Sequence, residues 1–187
     1  MRSPRQASVW IISGPSGVGK GTVCARLREL RPDIHIPVSL TTRQPRPGEI
    51  DGISYHFVSE ERFREMTDAG ELLEHAVVHG KHSYGTPRKD VADSLAAGRD
   101  VLLEIDIQGA RQVKQNLSGA NLVFIAPPSW DELVRRLRKR GTEDAAQVER
   151  RLATAREELK AQDEADFVIV NDRIEDTAQA LIVLMGL

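Results

Sequence analysis

With 187 residues, of which 40% are apolar and 29% charged, the chain has the size and composition of one soluble globular domain. The net charge of −2 offers no general attraction to nucleic acid or to an acidic membrane, so neither is expected as a partner. The polar N-terminus predicts no signal peptide, and the single Cys24 allows no internal disulfide, so a cytoplasmic location is expected.

A glycine-rich segment, residues 14–22, is the strongest motif. It follows the apolar run Val9–Ile12 and precedes Val23 and Leu27, which have helical spacing. Strand, glycine turn and helix in this order predict a phosphate-binding loop whose backbone N–H groups point inward. The residues predicted to hold phosphates are Gly14, Pro15, Ser16, Gly17, Val18, Gly19, Lys20, Gly21 and Thr22. A purely structural turn, the alternative, has no need of Lys20, which would reach the β and γ phosphates.

The residue after the loop lysine determines whether the loop itself supplies a hydroxyl ligand for Mg²⁺. Such loops usually have Ser or Thr there, whose hydroxyl ligates Mg²⁺, but this chain has Gly21, and the hydroxyl follows at Thr22. One residue turns a helix by about 100°, so Thr22 would point in another direction. We therefore assign no certain metal ligand and expect Mg²⁺ to rest on phosphates, water and a carboxylate elsewhere.

An arginine-containing loop follows the extended segment Ile34–Leu40. Two prolines and a glycine in residues 41–49 exclude a helix and keep the backbone extended. Arg43 and Arg46 on this stiff loop predict an anion site, because planar guanidinium groups bind phosphate oxygens in pairs. The alternative is a solvated basic loop.

The segment Glu71–Tyr84 has the pattern of a strand and a turn. It contains His75, His79 and His82, but no cysteine or other tetrahedral ligand set accompanies them in the sequence, so we expect polar histidines and not a metal site. Taken alone, Glu74 would be a surface charge.

Two acidic residues interrupt the next apolar strand. After a predicted helix over residues 88–97, residues 101–107 are predicted to form a strand with Glu104 and Asp106 on one face. Near the carboxyl end of a parallel sheet, both carboxylates would face a ligand crevice. An edge strand with solvated acids is the alternative.

Two basic helices follow a predicted strand at residues 121–125. The first carries Arg136 and Arg140 on one face, and the second, from Ala145 to about Ala161, carries Arg151. This pair predicts a mobile lid over phosphates, with a solvated basic hairpin as the alternative. A last strand, Phe167–Val170, leads to Asn171 and a final helix, and the alternation of strands with helices predicts an α/β domain with a mainly parallel sheet covered on both faces.

Several strings of the sequence resemble those of guanylate kinases. The most specific, SLTTRQPRPGEIDGISY, spans residues 39–55 and accompanies the phosphate loop. Agreement continues through ELLE at 71–74, YGT at 84–86, EIDIQG at 104–109, APPS at 126–129, RGTE at 140–143 and VND at 170–172. The resemblance therefore covers essentially the whole chain.

The resemblance implies the P-loop NTPase-like fold of nucleoside monophosphate kinases, with a mainly parallel sheet flanked by helices. The core would comprise about 7–36, 87–128 and 162–187, the inserted GMP-binding region about 37–86, and the helical lid about 129–161. The implied reaction is ATP + GMP ⇌ ADP + GDP, with Mg²⁺ as cofactor. Because the acceptor is already a phosphate oxygen, no general base is needed.

The resemblance also implies roles for individual residues. The phosphate of GMP would be held by Arg43, Arg46, Tyr55 and Tyr84, and the guanine by Ser39, Glu74, Thr86 and Asp106. Asp106 is also the candidate for a water-mediated contact with Mg²⁺, and Asn171 would lie near the adenine of ATP. The catalytic cations would be Lys20, Arg43, Arg136, Arg140 and Arg151, which neutralise developing charge.

The chemistry of guanine supports Glu74 independently. Guanine presents its ring N1–H and exocyclic amine as adjacent donors, whereas adenine presents no donor at either place. One carboxylate can accept both, so rejection of AMP by about four orders of magnitude is expected. Two alternatives stay open: a noncatalytic guanylate-kinase-like binding module, which would not need Lys20, and a kinase for adenylate or a phosphorylated sugar, which would not need Glu74 and Ser39.

Overall fold

The computed structural model describes residues 6–78, 81–139 and 145–187. The strands are β1 (Val9–Ser13), β2 (Leu40–Thr41), β3 (His56–Phe57), β4 (Leu72–Val78), β5 (His82–Pro87), β6 (Val101–Glu104), β7 (Asn121–Ala126) and β8 (Phe167–Val170). The α-helices are α1 (Lys20–Leu30), α2 (Glu60–Asp68), α3 (Arg88–Ala96), α4 (Ile107–Asn116), α5 (Trp130–Lys139), α6 (Ala145–Lys160) and α7 (Ile174–Leu184). These elements form two compact units: a first unit with residues 6–9 and 33–120, and a second with residues 10–32 and 121–187.

The second unit contains the parallel core sheet. Strands β1, β7 and β8 are adjacent and parallel, with Ile12 opposite Val123 and Ile125 opposite Ile169. Strand β7 is buried from its second residue onward, as expected for an apolar strand covered on both faces. Helix α7 packs against both α1 and β8, and Cys24 of α1 is buried. The predicted α/β fold with a mainly parallel core sheet flanked by helices is confirmed.

The first unit contains a second sheet, with strand order β3-β2-β5-β4. Strand β2 is parallel to β3 and antiparallel to β5, which is also antiparallel to β4. Leu40, Phe63 and Leu72 form a buried cluster between this sheet and α2, and α4 packs along β4. Within the described ranges, no helix of the chain is long and apolar enough to cross a membrane.

The strand predicted for residues 101–107 is wrong in its second half. Strand β6 ends at Glu104, and α4 begins at Ile107. The carboxylate of Asp106 accepts a hydrogen bond from the Gly109 N–H at 2.8 Å, so this side chain caps the helix and ends the extended run. Glu104 and Asp106 therefore do not share a strand face. Neither α2 nor α4 is among the predicted helices.

Candidate active site

The phosphate loop of the second unit lies between β1 and α1. Gly14, Gly17 and Gly19 have φ angles of 144°, 85° and 104°, which side chains disfavour. A Cβ on Gly14 would lie 2.3 Å from the carbonyl oxygen of Ile125, so β7 leaves room only for glycine. The loop enters α1 at Lys20, and the backbone N–H groups of the first turn of a helix favour an anion. The predicted order of strand, glycine turn and helix is confirmed.

The Lys20 side chain folds back over this loop. Its Nζ donates to the carbonyl oxygens of Gly14 at 2.5 Å and Pro15 at 3.3 Å. An ammonium group is a compact charge with three donors on a flexible stem. The loop carbonyls therefore hold a positive charge against the segment that is predicted to bind phosphate.

Two side chains of α6 meet the same loop at Ser16. The Arg151 Nη2 donates to the Ser16 hydroxyl at 2.9 Å, and the Ser16 N–H donates to Glu158 Oε2, also at 2.9 Å. Residues 151 and 158 are two turns apart and lie on one helix face. The structure thus brings the predicted Arg151 to the phosphate loop. It adds the carboxylate of Glu158, which the sequence motifs do not single out.

Asn171 and Arg136 also form hydrogen bonds with the backbone of the loop, at Val18. The buried Asn171 donates from Nδ2 to the Val18 carbonyl at 2.8 Å and accepts from the Thr177 hydroxyl at 2.8 Å. Arg136 donates from Nη1 to the carbonyls of Val18 at 3.2 Å and Asn171 at 3.1 Å, and from Nε to Glu132 at 2.7 Å. Asn171 therefore contacts the loop backbone directly.

A cavity of about 570 Å³ adjoins this part of the loop, and its lining includes Gly17, Gly19, Thr22, Arg136 and Asn171. Its size suits a nucleotide-sized ligand. Hydrogen bonds from Arg135, and then from Arg136, lower the pKa of the nearby Glu132 carboxyl to about 2. That carboxylate is therefore ionised at neutral pH and holds Arg136 beside the cavity.

Arg43 is the centre of the candidate phosphate site in the first unit. The residue is only 9% exposed, and its guanidinium forms a bidentate ion pair with Glu49, at 2.8 Å and 2.9 Å. Its Nε donates to the Tyr84 hydroxyl at 3.2 Å, and its charge lies 5.4 Å from the centre of the Tyr55 ring. The hydrogen bonds from Arg43 lower the pKa of Glu49 and raise that of Arg43. Both groups are therefore charged at neutral pH.

A β-turn explains why Glu49 reaches Arg43. The Glu49 N–H donates to the Arg46 carbonyl at 3.0 Å, and Gly48 has a φ of 86°, as a type II turn with Pro47 and Gly48 at its centre requires. The Arg46 N–H donates in turn to Glu49 Oε2 at 2.7 Å. The Arg46 side chain is exposed. The Pro-Gly pair was the sequence signal for this turn, and hence for Glu49.

Two tyrosines complete this site. The rings of Tyr55 and Tyr84 meet edge to face with centres 5.8 Å apart. Burial, and then the negative charge of Glu104, raise the pKa of the Tyr55 hydroxyl, so it stays protonated at neutral pH and can donate. The structure therefore brings Arg43, Tyr55 and Tyr84 together as predicted from the resemblance.

Glu74 is a buried carboxyl in β4. It lies opposite Thr86 of β5, whose hydroxyl donates to Glu74 Oε1 at 2.6 Å, and it is only 4% exposed. Burial raises its pKa from the ordinary 4.5 to about 7, the negative charge of Asp106 adds to this rise, and the Thr86 hydrogen bond opposes it. An isolated glutamate such as Glu74 would be expected on the surface, and that expectation is wrong here because the strand turns the side chain inward.

The other predicted guanine contacts lie around this carboxyl. Leu40 of β2 is opposite Gly85 of β5, and this register, continued by one residue, places the half-buried Ser39 next to Thr86. Asp106 contributes through its charge to the raised pKa of Glu74, although one of its oxygens caps α4. Arg140 and His79 lie outside the described residues. Among the residues that are described, no cluster of His, Cys, Asp and Glu could hold a metal ion.

Comparison with known proteins gives one consistent result. Residues 6–186 match the family described as guanylate kinase. A guanylate kinase of Leifsonia xyli is 52% identical over 97% of this chain and 71% of its own length. One of Streptomyces kasugaensis is 55% identical over 94% of this chain and 85% of its own length.

Solved structures agree with the sequence comparisons. The crystal structure of guanylate kinase from Anaplasma phagocytophilum is similar with a TM-score of 0.80 and 36% identity, covering 96% of this chain and 85% of that one. A shikimate kinase from Bacteroides thetaiotaomicron gives a TM-score of 0.50 at 18% identity, covering 96% of this chain and 99% of that one, which is a likeness of fold alone.

Proposed function

We propose residue roles for this chain, which belongs to the guanylate kinase family and transfers a phosphoryl group from ATP to GMP. Each unit contains one anion site built from its own residues, and we assign GMP to the first unit and ATP to the second. Transfer between two polyanions is opposed mainly by charge repulsion, so the chain has to position both nucleotides and neutralise developing charge. No covalent nucleophile or general base is required.

We assign recognition of the guanine to Glu74, and the burial of this carboxyl is the observation that supports the assignment. The carboxyl is buried, and the Thr86 hydroxyl donates to only one of its two oxygens. In its ionised form the carboxylate accepts the N1–H and the exocyclic amine of guanine, while Ser39, Thr86 and Asp106 surround the base. AMP offers no donors at these places, so its binding would leave a buried carboxylate unpaired.

Arg43 binds the phosphate of GMP with Arg46, Tyr55 and Tyr84. The support is that the Arg43 guanidinium lies beside both tyrosines, with its Nε 3.2 Å from the Tyr84 hydroxyl and its charge 5.4 Å from the centre of the Tyr55 ring. The tyrosine hydroxyls are donors for further phosphate oxygens. Glu49 orients the guanidinium through the turn at Pro47, so the site is preorganised for its ligand.

The loop Gly14–Thr22 binds the phosphates of ATP, and Lys20 supplies the charge nearest to them. Arg136 and Arg151 are the lid arginines, together with Arg140, which lies outside the described residues. The hydrogen bonds of Arg151 to Ser16 and of Arg136 to Val18 support this assignment. Asn171 holds the loop at the edge of the cavity where we place the adenine.

We assign Mg²⁺ as the cofactor, and the donor set fits it. Mg²⁺ is usually bound by substrate phosphates, water and one or two carboxylates, and not by a cage of protein ligands. Phosphates and water would supply most of the ligands, and Asp106 is the candidate for a contact with the ion through water. Thr22 lines the cavity beside the phosphate loop. When bound, Mg²⁺ neutralises charge on the phosphate oxygens.

We also propose the division into a core (about 7–36, 87–128 and 162–187), a GMP-binding region (about 37–86) and a lid (about 129–161). A cytoplasmic location is proposed as well, since the one cysteine is a free, buried thiol.

A coupled assay of ADP formation tests the assignment of substrates and of Glu74. ATP is supplied with GMP, dGMP, AMP or no acceptor, and the chain is compared with Glu74→Gln and with Glu71→Gln, a control at an exposed position of the same segment. We expect turnover with GMP, a preference over AMP of about four orders of magnitude, and a loss of GMP use only in Glu74→Gln. Activity confined to AMP would refute the guanine assignment.

A further inference from the structure

Helix α4 holds the backbone of β4 on both sides of Glu74. The side-chain amide of Gln112 accepts a hydrogen bond from the His75 N–H at 3.1 Å and donates to the His75 carbonyl at 2.7 Å. One turn later, Asn116 donates to the carbonyl of Leu73 at 3.0 Å. The two residues that flank Glu74 are therefore fixed to this helix.

The position of β4 in its sheet explains the need for these bonds. It is the last strand in the order β3-β2-β5-β4, so within the described part of the chain no strand of this sheet pairs with its outer edge. Backbone groups on such an edge need other partners. An amide has one acceptor and one donor side by side, so Gln112 makes with His75 both bonds that a neighbouring strand would make.

The first turn of α4 also approaches the Glu74 carboxyl closely. A Cβ on Gly109 would lie 2.3 Å from Glu74 Oε2 and 3.0 Å from Glu74 Cδ. Gly109 and Gln112 are three residues apart and thus share a helix face. A small slide of α4 along β4 would change the space around the carboxyl. The two hydrogen bonds between Gln112 and His75 oppose such a slide.

We propose that Gln112 is a positioning residue for guanine selection. It fixes α4 against β4, so that the Glu74 carboxylate keeps the orientation in which it accepts two donors from one base. This inference rests on the proposed function, because it takes Glu74 as the acceptor for guanine. Loss of Gln112 should therefore weaken catalysis most for a base that donates to both carboxylate oxygens, and less for a base that donates to only one.

The test compares Gln112→Leu with Gln115→Leu, a matched change at an exposed position of the same helix. GMP is compared with IMP, whose base lacks the exocyclic amine. For Gln112→Leu we expect kcat/KM for GMP to fall about tenfold, mainly through KM, with a smaller loss for IMP and an unchanged KM for ATP. The Gln115 variant should behave like the unmodified chain.

A double-mutant cycle separates positioning from a general structural effect. If Gln112 acts through Glu74, Gln112→Leu should change GMP use by less than about twofold in a Glu74→Gln background. A tenfold loss that persists in that background, or that falls equally on GMP and IMP, overturns the proposal. If Glu74→Gln alone leaves the preference for GMP over IMP unchanged, it is the proposed function that fails.

A second variant covers the case in which Gln112→Leu does not fold. Gln112→Glu keeps an acceptor for the His75 N–H but sets a carboxylate oxygen against the His75 carbonyl, so the second bond is replaced by repulsion. It should also lose GMP use, with the same dependence on Glu74. Full GMP use in this folded variant would overturn the proposal.

Discussion

Replacing Glu74 by glutamine should make the stability of the ligand-free protein less dependent on pH. The folded-state pKa of this carboxyl is raised, so its protonated form favours folding. The contribution is fully present below pH 4.5, where both the folded and the unfolded chain are protonated, and it is lost as the pH rises through about 7. Glutamine cannot ionise, and its side-chain oxygen can still accept the hydrogen bond from Thr86.

The size of the effect follows from the two pKa values. At about 1.4 kcal/mol for each pKa unit, a rise from 4.5 to about 7 makes ionisation of Glu74 cost the folded protein about 3 kcal/mol. Most of this cost appears between about pH 5 and about pH 8. Over that interval, the free energy of unfolding of Glu74→Gln should rise by about 2 kcal/mol relative to that of the unmodified chain.

Urea unfolding at the two pH values measures this difference directly. At each pH, the difference between the free energies of unfolding of Glu74→Gln and the unmodified chain cancels the contributions of the other titrating groups. Glu71→Gln serves as the exposed control, for which we expect no comparable change with pH. An equal offset at both pH values would show that Glu74 is ionised with an ordinary pKa. The burial argument on which guanine selection rests would then be wrong.

Three further substitutions test other parts of the account. Lys20→Ala should reduce turnover at least about a hundredfold while far-UV circular dichroism stays unchanged; unchanged turnover would remove the lysine from the mechanism. Glu49→Gln should raise the KM for GMP and lower the free energy of unfolding by about 1–3 kcal/mol, because it leaves the buried Arg43 without its counter-charge, and urea unfolding that matches the unmodified chain would contradict this. Gly109→Ala places a Cβ against the Glu74 carboxyl and should reduce kcat/KM for GMP at least about tenfold with the KM for ATP unchanged, whereas equal losses for both nucleotides would argue against a local effect.

The phosphate loop was predictable because its conformation depends on local residue types. Positive φ angles at Gly17 and Gly19, and the helix start at Lys20, follow from the glycines and their flanking strand and helix. The buried strands of the second unit were predictable for a similar reason, since apolar runs such as Asn121–Ile125 have few alternatives.

The features that the sequence did not predict depend on other contacts, some of them between distant parts of the chain. The strand predicted through Asp106 fails because the Asp106 carboxylate accepts a hydrogen bond from the Gly109 N–H and caps a helix that begins there. The burial of Glu74 does not follow from its residue type, since only its pairing with Thr86 across the sheet shows that it is buried. Likewise, the contact of Glu158 with the loop joins residues 142 positions apart, which no local pattern encodes.

A crystal structure with GMP bound tests the central claim most directly. The account predicts that the N1–H and the exocyclic amine of guanine both donate to Glu74 within hydrogen-bond distance, next to Thr86, and that the phosphate contacts Arg43 and Tyr84. A guanine bound away from Glu74, or in the cavity beside Asn171, would contradict it.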